Sequence, residues 1–166
     1  MIDAILGLKI VKELIVIIIA AFPILELRVA IPVAIDGFDF SWYYAFLLAF
    51  IGNLLPVPFI LLFFEASARV LSKISFFKRT LDWLFERTKR RGGVIQKYKR
   101  LGLVLFVSIP LPVTGAWTGS LAAVLFGISF KRALTSITIG VFIAGVIVTC
   151  LWVLFSFTFG GFEVFG

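Results

Sequence analysis

The groups with the greatest capacity for chemistry are Glu26 and Arg28, two positions apart in the stretch Phe22-Pro-Ile-Leu-Glu-Leu-Arg-Val-Ala-Ile-Pro32. They interrupt an otherwise apolar run over residues 14–35, and Pro23 and Pro32 bracket them. A charge at bilayer depth costs about 2.5–3.5 kcal/mol or more, so such groups face a cavity or a partner. On a regular helix, residues two apart do not face each other; in a proline-bounded turn they can. Two readings therefore stand side by side. In one, the pair is a mutual ion pair that closes a hairpin tip. In the other, Glu26 binds and releases a proton while Arg28 holds an anionic group.

A second broken stretch, Ser108-Ile-Pro-Leu-Pro-Val-Thr-Gly-Ala-Trp-Thr-Gly119, lies in the other half of the chain. Pro110 and Pro112 delete backbone donors there, while Thr114, Trp117 and Thr118 supply side-chain hydrogen-bonding groups. Gly115 and Gly119 are four apart, a spacing that lets helices approach closely, and free amides at a half-helix start can cradle an anion. Asn53 is a further polar residue in an apolar run, of the kind that hydrogen-bonds between helices. The chain has no histidine and one cysteine, so no metal cluster, intrachain disulfide or nucleophile–base pair is expected, and no cofactor or enzymatic activity.

Composition says what must position these groups. Of 166 residues, 61% are hydrophobic, and the mean hydropathy is +1.14. Soluble domains hold roughly 45–50% apolar residues, so an all-α integral membrane protein is expected. The net charge of +7 is concentrated: residues 66–100 hold eleven of the sixteen Lys/Arg and only two acids, Asp82 and Glu86. That is the positive-inside pattern rather than a nucleic-acid footprint, and it puts 66–100 on the cytoplasmic side of a multi-pass protein of the plasma or inner membrane. Within it Val70, Ile74, Phe77, Leu81 and Leu84 follow helical spacing, predicting an amphipathic helix on the anionic inner leaflet that ends at Gly92-Gly93.

The halves resemble each other in outline. Residues 1–65 comprise a broken run over 14–35 and a span over 42–64, interrupted late by Pro56 and Pro58. Residues 101–166 comprise a broken run over 101–130 and a span over 133–159. Gly37-Phe-Asp-Phe40 and Gly127-Ile-Ser-Phe130 occupy matching places, as do Gly52 and Gly140. If all four runs crossed the membrane, Lys131 and Arg132 would fall outside, against the charge bias. If both broken runs are re-entrant, those residues return to the cytoplasmic side. The arm 101–112 is about 18 Å of helix against a core of roughly 30 Å, too short to cross. The expected architecture is an inverted repeat of re-entrant hairpin plus transmembrane helix, with the tips meeting near the midplane. Interrupted segments in corresponding places of two halves mark the binding site of a transporter. So thin a bundle also predicts a homodimer.

Glu26-Leu-Arg-Val-Ala-Ile-Pro32, Pro110-Leu-Pro-Val-Thr-Gly-Ala-Trp-Thr-Gly119 and the basic bridge between them resemble the small multidrug export membrane proteins. More distantly, the layout is similar to the DedA/VTT superfamily. The first resemblance implies export of an amphiphilic substrate, and the residues themselves make Glu26 the candidate proton-coupling or substrate-contacting acid. The second implies a flippase for polyprenyl phosphate or phospholipid; it carries an acid and an arginine over to Glu26 and Arg28 only, since 110–119 contains no charge. A competing class is a non-transporting structural or lipid-surface protein that binds through its basic helix.

Overall fold

The computed structural model describes residues 2–71, 92–111 and 114–159, and every regular element among them is helical. The first half contains α1 (Ile2–Ala21), a break, and α2 (Glu26–Pro32), which widens into a π-helical turn over Val33–Gly37. It continues through a turn into α3 (Trp42–Leu54) and α4 (Pro56–Leu71). The second half runs α5 (Gly92–Ser108), a break, α6 (Ala116–Leu125), a short turn and α7 (Phe130–Phe159).

The breaks fall where prolines remove amide donors. Pro23 lies in the first, Pro110 in the second, and Pro56 starts α4 where a first-turn donor has no helical partner anyway. Pro32 is instead carried within α2, one residue before the π turn. Two boundaries differ from the sequence reading. The lead-in over 2–13 is not separate: no proline lies ahead of residue 14 and the helix carries through Gly7, so α1 runs unbroken into the apolar arm. Gly92-Gly93 opens α5, which starts well before Leu101 and gives the second arm 17 residues. The amphipathic stripe expected over 70–84 falls outside the described residues beyond Leu71, and so does Pro112.

Two segments, Trp42–Phe63 and Phe130–Thr158, are long and apolar enough to cross a membrane. The outer surface is apolar as well: Phe59, Phe63, Leu105, Leu154 and Phe157 are exposed. In water so large an apolar surface would drive association; in a bilayer it is the solvated face.

Nearly half of the core cluster is alanine, including Ala20, Ala30, Ala49, Ala116 and Ala144. Lipid offers apolar side chains no less than a protein interior does, so helices hold together through close packing, which small residues permit. Two glycines in matching places set close crossings. A Cβ on Gly52 of α3 would lie 2.6 Å from the Ile17 carbonyl oxygen of α1, and one on Gly140 of α7 would lie 2.7 Å from Val107 Cβ of α5. In both halves the long helix thus uses a glycine to seat the first arm. Gly52→Ala is expected to lower stability by about 1–3 kcal/mol, because the atom it meets is backbone and cannot rotate away. Denaturation of the purified protein in mixed micelles measures this.

Three contacts relate the helices of the two halves to their turns. Lys12 Nζ lies 5.6 Å from the centre of the Phe38 ring, joining the middle of α1 to the turn after α2. Lys99 Nζ donates to the Phe126 carbonyl at 3.1 Å, joining the middle of α5 to the turn after α6. Trp152 Nε1 of α7 donates to Asp36 Oδ1 at 3.1 Å. Trp152 is about 33 Å along α7 from Phe130, at 1.5 Å per residue.

Candidate functional site

Glu26 is buried, and its backbone has φ 47°, the left-handed region that a residue with a Cβ seldom occupies. That conformation starts α2 and turns the carboxylate out of the helix line. It points at the other half of the molecule: the backbone N–H groups of Ala116 and Trp117 donate to it. These are first-turn donors of α6 with no intrahelical partner, and they form the positive end of the helix dipole. A third amide, that of Gly115, donates to Thr118 Oγ1 at 3.1 Å. Glu26 therefore caps a helix ninety residues further along the chain.

Gly115 makes the approach possible. A Cβ there would overlap both carboxylate oxygens of Glu26. Arg28 Nη2 lies 3.5 Å from Glu26 Oε2, and its side chain is 20% exposed. The left-handed start at Glu26 is what lets residues two apart meet.

The remaining tip residues knit the breaks together. Thr114 Oγ1 donates to the Ile109 carbonyl at 2.6 Å and accepts from the Leu111 amide, closing the second break on itself. Trp117 Nε1 donates to the Ala21 carbonyl at 2.9 Å, the last residue of α1. That bond satisfies one of the orphan C-terminal carbonyls left where the first break begins. Glu26 and Trp117 thus tie the two breaks together in both directions.

These groups line a narrow cleft with a free volume of about 10 Å³, room for roughly one water molecule. Of the residues singled out from sequence, Glu26, Arg28, Asn53, Pro110, Thr114 and Gly115 line it. Trp117 and Thr118 sit behind it in the bonds just described. Gly119 backs onto Val107 of α5, where a Cβ would overlap the valine. Pro23 is exposed and Pro32 lies within α2; neither lines the cleft. Sequence reasoning missed the apolar wall: Val107 of α5, with Val141, Ala144 and Val148 of α7. The three α7 positions recur at helical spacing on one face, a signal present in the chain but indistinguishable there from ordinary core.

The chemistry available is a carboxylate between a guanidinium and two helix amides, beside a buried asparagine, at the polar end of an aliphatic slot. Such a site can carry a proton, or exchange its internal anion for another.

A family model described as "Putative small multi-drug export protein" matches residues 26–147, which begins at Glu26 and takes in every residue lining the cleft except Val148. No curated protein and no solved structure matches the sequence.

Proposed function

Because this chain belongs to the small multi-drug export protein family, we propose that it is a small membrane transporter exporting an amphiphilic substrate, with Glu26 as its proton-coupling acid. The observation that carries this reading is the docking of Glu26 on the amides of Ala116 and Trp117. One titratable group holds together the broken segments of both halves, so its protonation changes the contact across which a substrate must pass. A fixed ion pair would need no partner in the second half.

The broken runs act as re-entrant hairpins that enter from opposite faces and repeat with inverted topology. Lys12 beside Phe38 and Lys99 on Phe126 support this, since in each half the middle of the first helix lies beside the end of the short second one, so the second arm returns alongside the first. The 33 Å between Phe130 and Trp152 is about the thickness of the hydrocarbon core, and the first hairpin's outer end, at Asp36, meets the far end of α7. Residues 66–100 are cytoplasmic and lie on the anionic leaflet of the plasma or inner membrane, and the working unit is a homodimer. Substrate enters along the apolar wall of Val107, Val141 and Val148.

A flippase for a lipid phosphate is the second reading, favoured by Arg28, which is partly exposed beside the first amides of α6. Proteoliposomes loaded in parallel with a cationic dye and a polyprenyl phosphate distinguish the two. If neither moves under a proton gradient, the transporter reading fails.

The hairpins have their own test. With Cys150 replaced by Ser, single cysteines at Ser41 and Ser129, both exposed beyond the ends of the short helices, are expected to label from opposite sides of the membrane. Ser129→Cys is expected to label from the cytoplasmic side. Labelling of both positions from one side would leave 101–130 as an ordinary crossing and remove the opposed hairpins.

A further inference from the structure

Asn53 sits at the end of α3, 1% exposed, and its Oδ1 has no hydrogen-bond partner. It lines the same cleft as Glu26. Buried amide oxygens are nearly always satisfied, so an orphan facing a cleft calls for a donor that arrives in another state of the protein. The donors that the second break brings to the cleft are already engaged. The Thr114 hydroxyl is given to the Ile109 carbonyl, the Gly115 amide to Thr118, and the Ala116 amide to Glu26. Pro110 has no N–H. Arg28 lies against Glu26 and keeps part of its side chain exposed. Two donors stay available in the cleft: the spare guanidinium N–H groups of Arg28, and Glu26 itself once it carries a proton, which is the one whose arrival depends on a change of state.

We infer that Asn53 Oδ1 is the acceptor for the protonated Glu26 carboxyl, so that the acid moves between two positions: ionised on the α6 amides, protonated on Asn53. This rests on the reading of Glu26 as the coupling acid. In the step, a proton from the aqueous side adds to a carboxylate oxygen of Glu26, and the new O–H donates to Asn53 Oδ1. The amides of Ala116 and Trp117 are then left without their anion. The positive end of α6 and Arg28 lose the charge that bound the first half to the second, which frees the tips to part. The left-handed backbone at Glu26 fits such a switch, because a strained residue is held only while its carboxylate is docked.

The surroundings leave this exchange to one pair. Among the described side chains of the segments packed on α2, α1 brings Lys9, Lys12 and Glu13, the π turn Asp36, α3 Tyr43 and Tyr44, and α7 Lys131, Arg132 and Cys150. None of these lines the cleft, where Arg28 is the one charged neighbour of Glu26 among the described residues. α6 has no ionisable residue.

Infrared difference spectroscopy of the protein in lipid vesicles, between alkaline and acidic buffer, tests the inference. A protonated-carboxyl band absent from Glu26→Gln is expected in acid. In Asn53→Leu that band is expected at higher frequency, with the proton affinity of Glu26 lowered about tenfold, the worth of one buried hydrogen bond. Asn53 is the chain's single asparagine, so an isotope label in asparagine reports on it alone, without any substitution. Its amide carbonyl band is expected to fall in frequency on acidification of the native protein and to stay fixed in Glu26→Gln. No Glu26 band in acid, a band unmoved by Asn53→Leu, or an asparagine shift that persists in Glu26→Gln would each overturn the proposal. Transport is scored separately. Glu26-dependent transport with an unmoved band removes Asn53 alone, and the expected bands without transport remove the transporter reading and leave the switch.

Discussion

Glu26→Gln is expected to reduce proton-driven transport by about a hundredfold or more, the usual effect of losing a positioned proton-transfer group, while the protein stays folded. The amide matches the carboxyl in shape, so Gly115 still accommodates it, and its oxygen can still accept from one α6 amide. What it cannot do is ionise. The charge-assisted bonds to Ala116 and Trp117 become neutral ones, and Arg28 loses its partner, for a stability loss of about 1–3 kcal/mol. Residual transport in the variant is expected to lose its dependence on pH. The measurement is initial uptake in proteoliposomes over a range of imposed gradients, with circular dichroism and thermal denaturation of the same preparation. Unchanged transport in a folded Glu26→Gln protein would show that the acid is structural and return the pair to a simple ion pair at a hairpin tip.

The second large effect is expected at a residue with no side chain. Gly115→Ala places a Cβ where both carboxylate oxygens of Glu26 now lie. Neither neighbour yields easily: position 115 is anchored by its amide on Thr118 and by its carbonyl, which accepts from the Gly119 amide at 2.8 Å. The carboxylate must leave, and the α6 amides lose their cap. Overpacking and a lost charge-assisted bond together amount to about 3 kcal/mol, with transport lost to the same extent as in Glu26→Gln. The cause is separable from a general intolerance of alanine. In a Glu26→Ala background the space is empty, so Gly115→Ala is expected to cost less than about 1 kcal/mol there, and a double-mutant cycle should return a coupling of about 2 kcal/mol or more. An equal cost in both backgrounds would mean that Gly115 serves the backbone turn and not the carboxylate.

Much of the helical layout could be read from residue types because it depends on local chemistry. A proline removes its amide wherever it stands, so interruptions at Pro23, Pro56 and Pro110 follow from the chain itself. Apolar runs of membrane length identify spans over 42–64 and 133–159 in the same way, close to Trp42–Phe63 and Phe130–Thr158 in the structure. Gly52 and Gly140 stood out as small residues in long spans, although what each admits, Ile17 in one half and Val107 in the other, is visible only in three dimensions. The continuous start of α1 and the early start of α5 went unread because segmentation by hydropathy follows charge, whereas a helix continues through Lys12 and Glu13 as readily as through leucine.

The site divides along the same line. That Glu26 and Arg28 need partners, and that amides at the second break could receive an anion, follows from the cost of burying charge and from helix geometry, both written in the sequence. That the anion is Glu26 itself could not be read there. The match depends on a left-handed residue at 26, a missing Cβ at 115 and the crossing of two arms ninety residues apart, each set by packing of the whole bundle. The orphan oxygen of Asn53 belongs to the same category. An asparagine's type declares that it needs donors, but only the folded chain determines which donors are already taken.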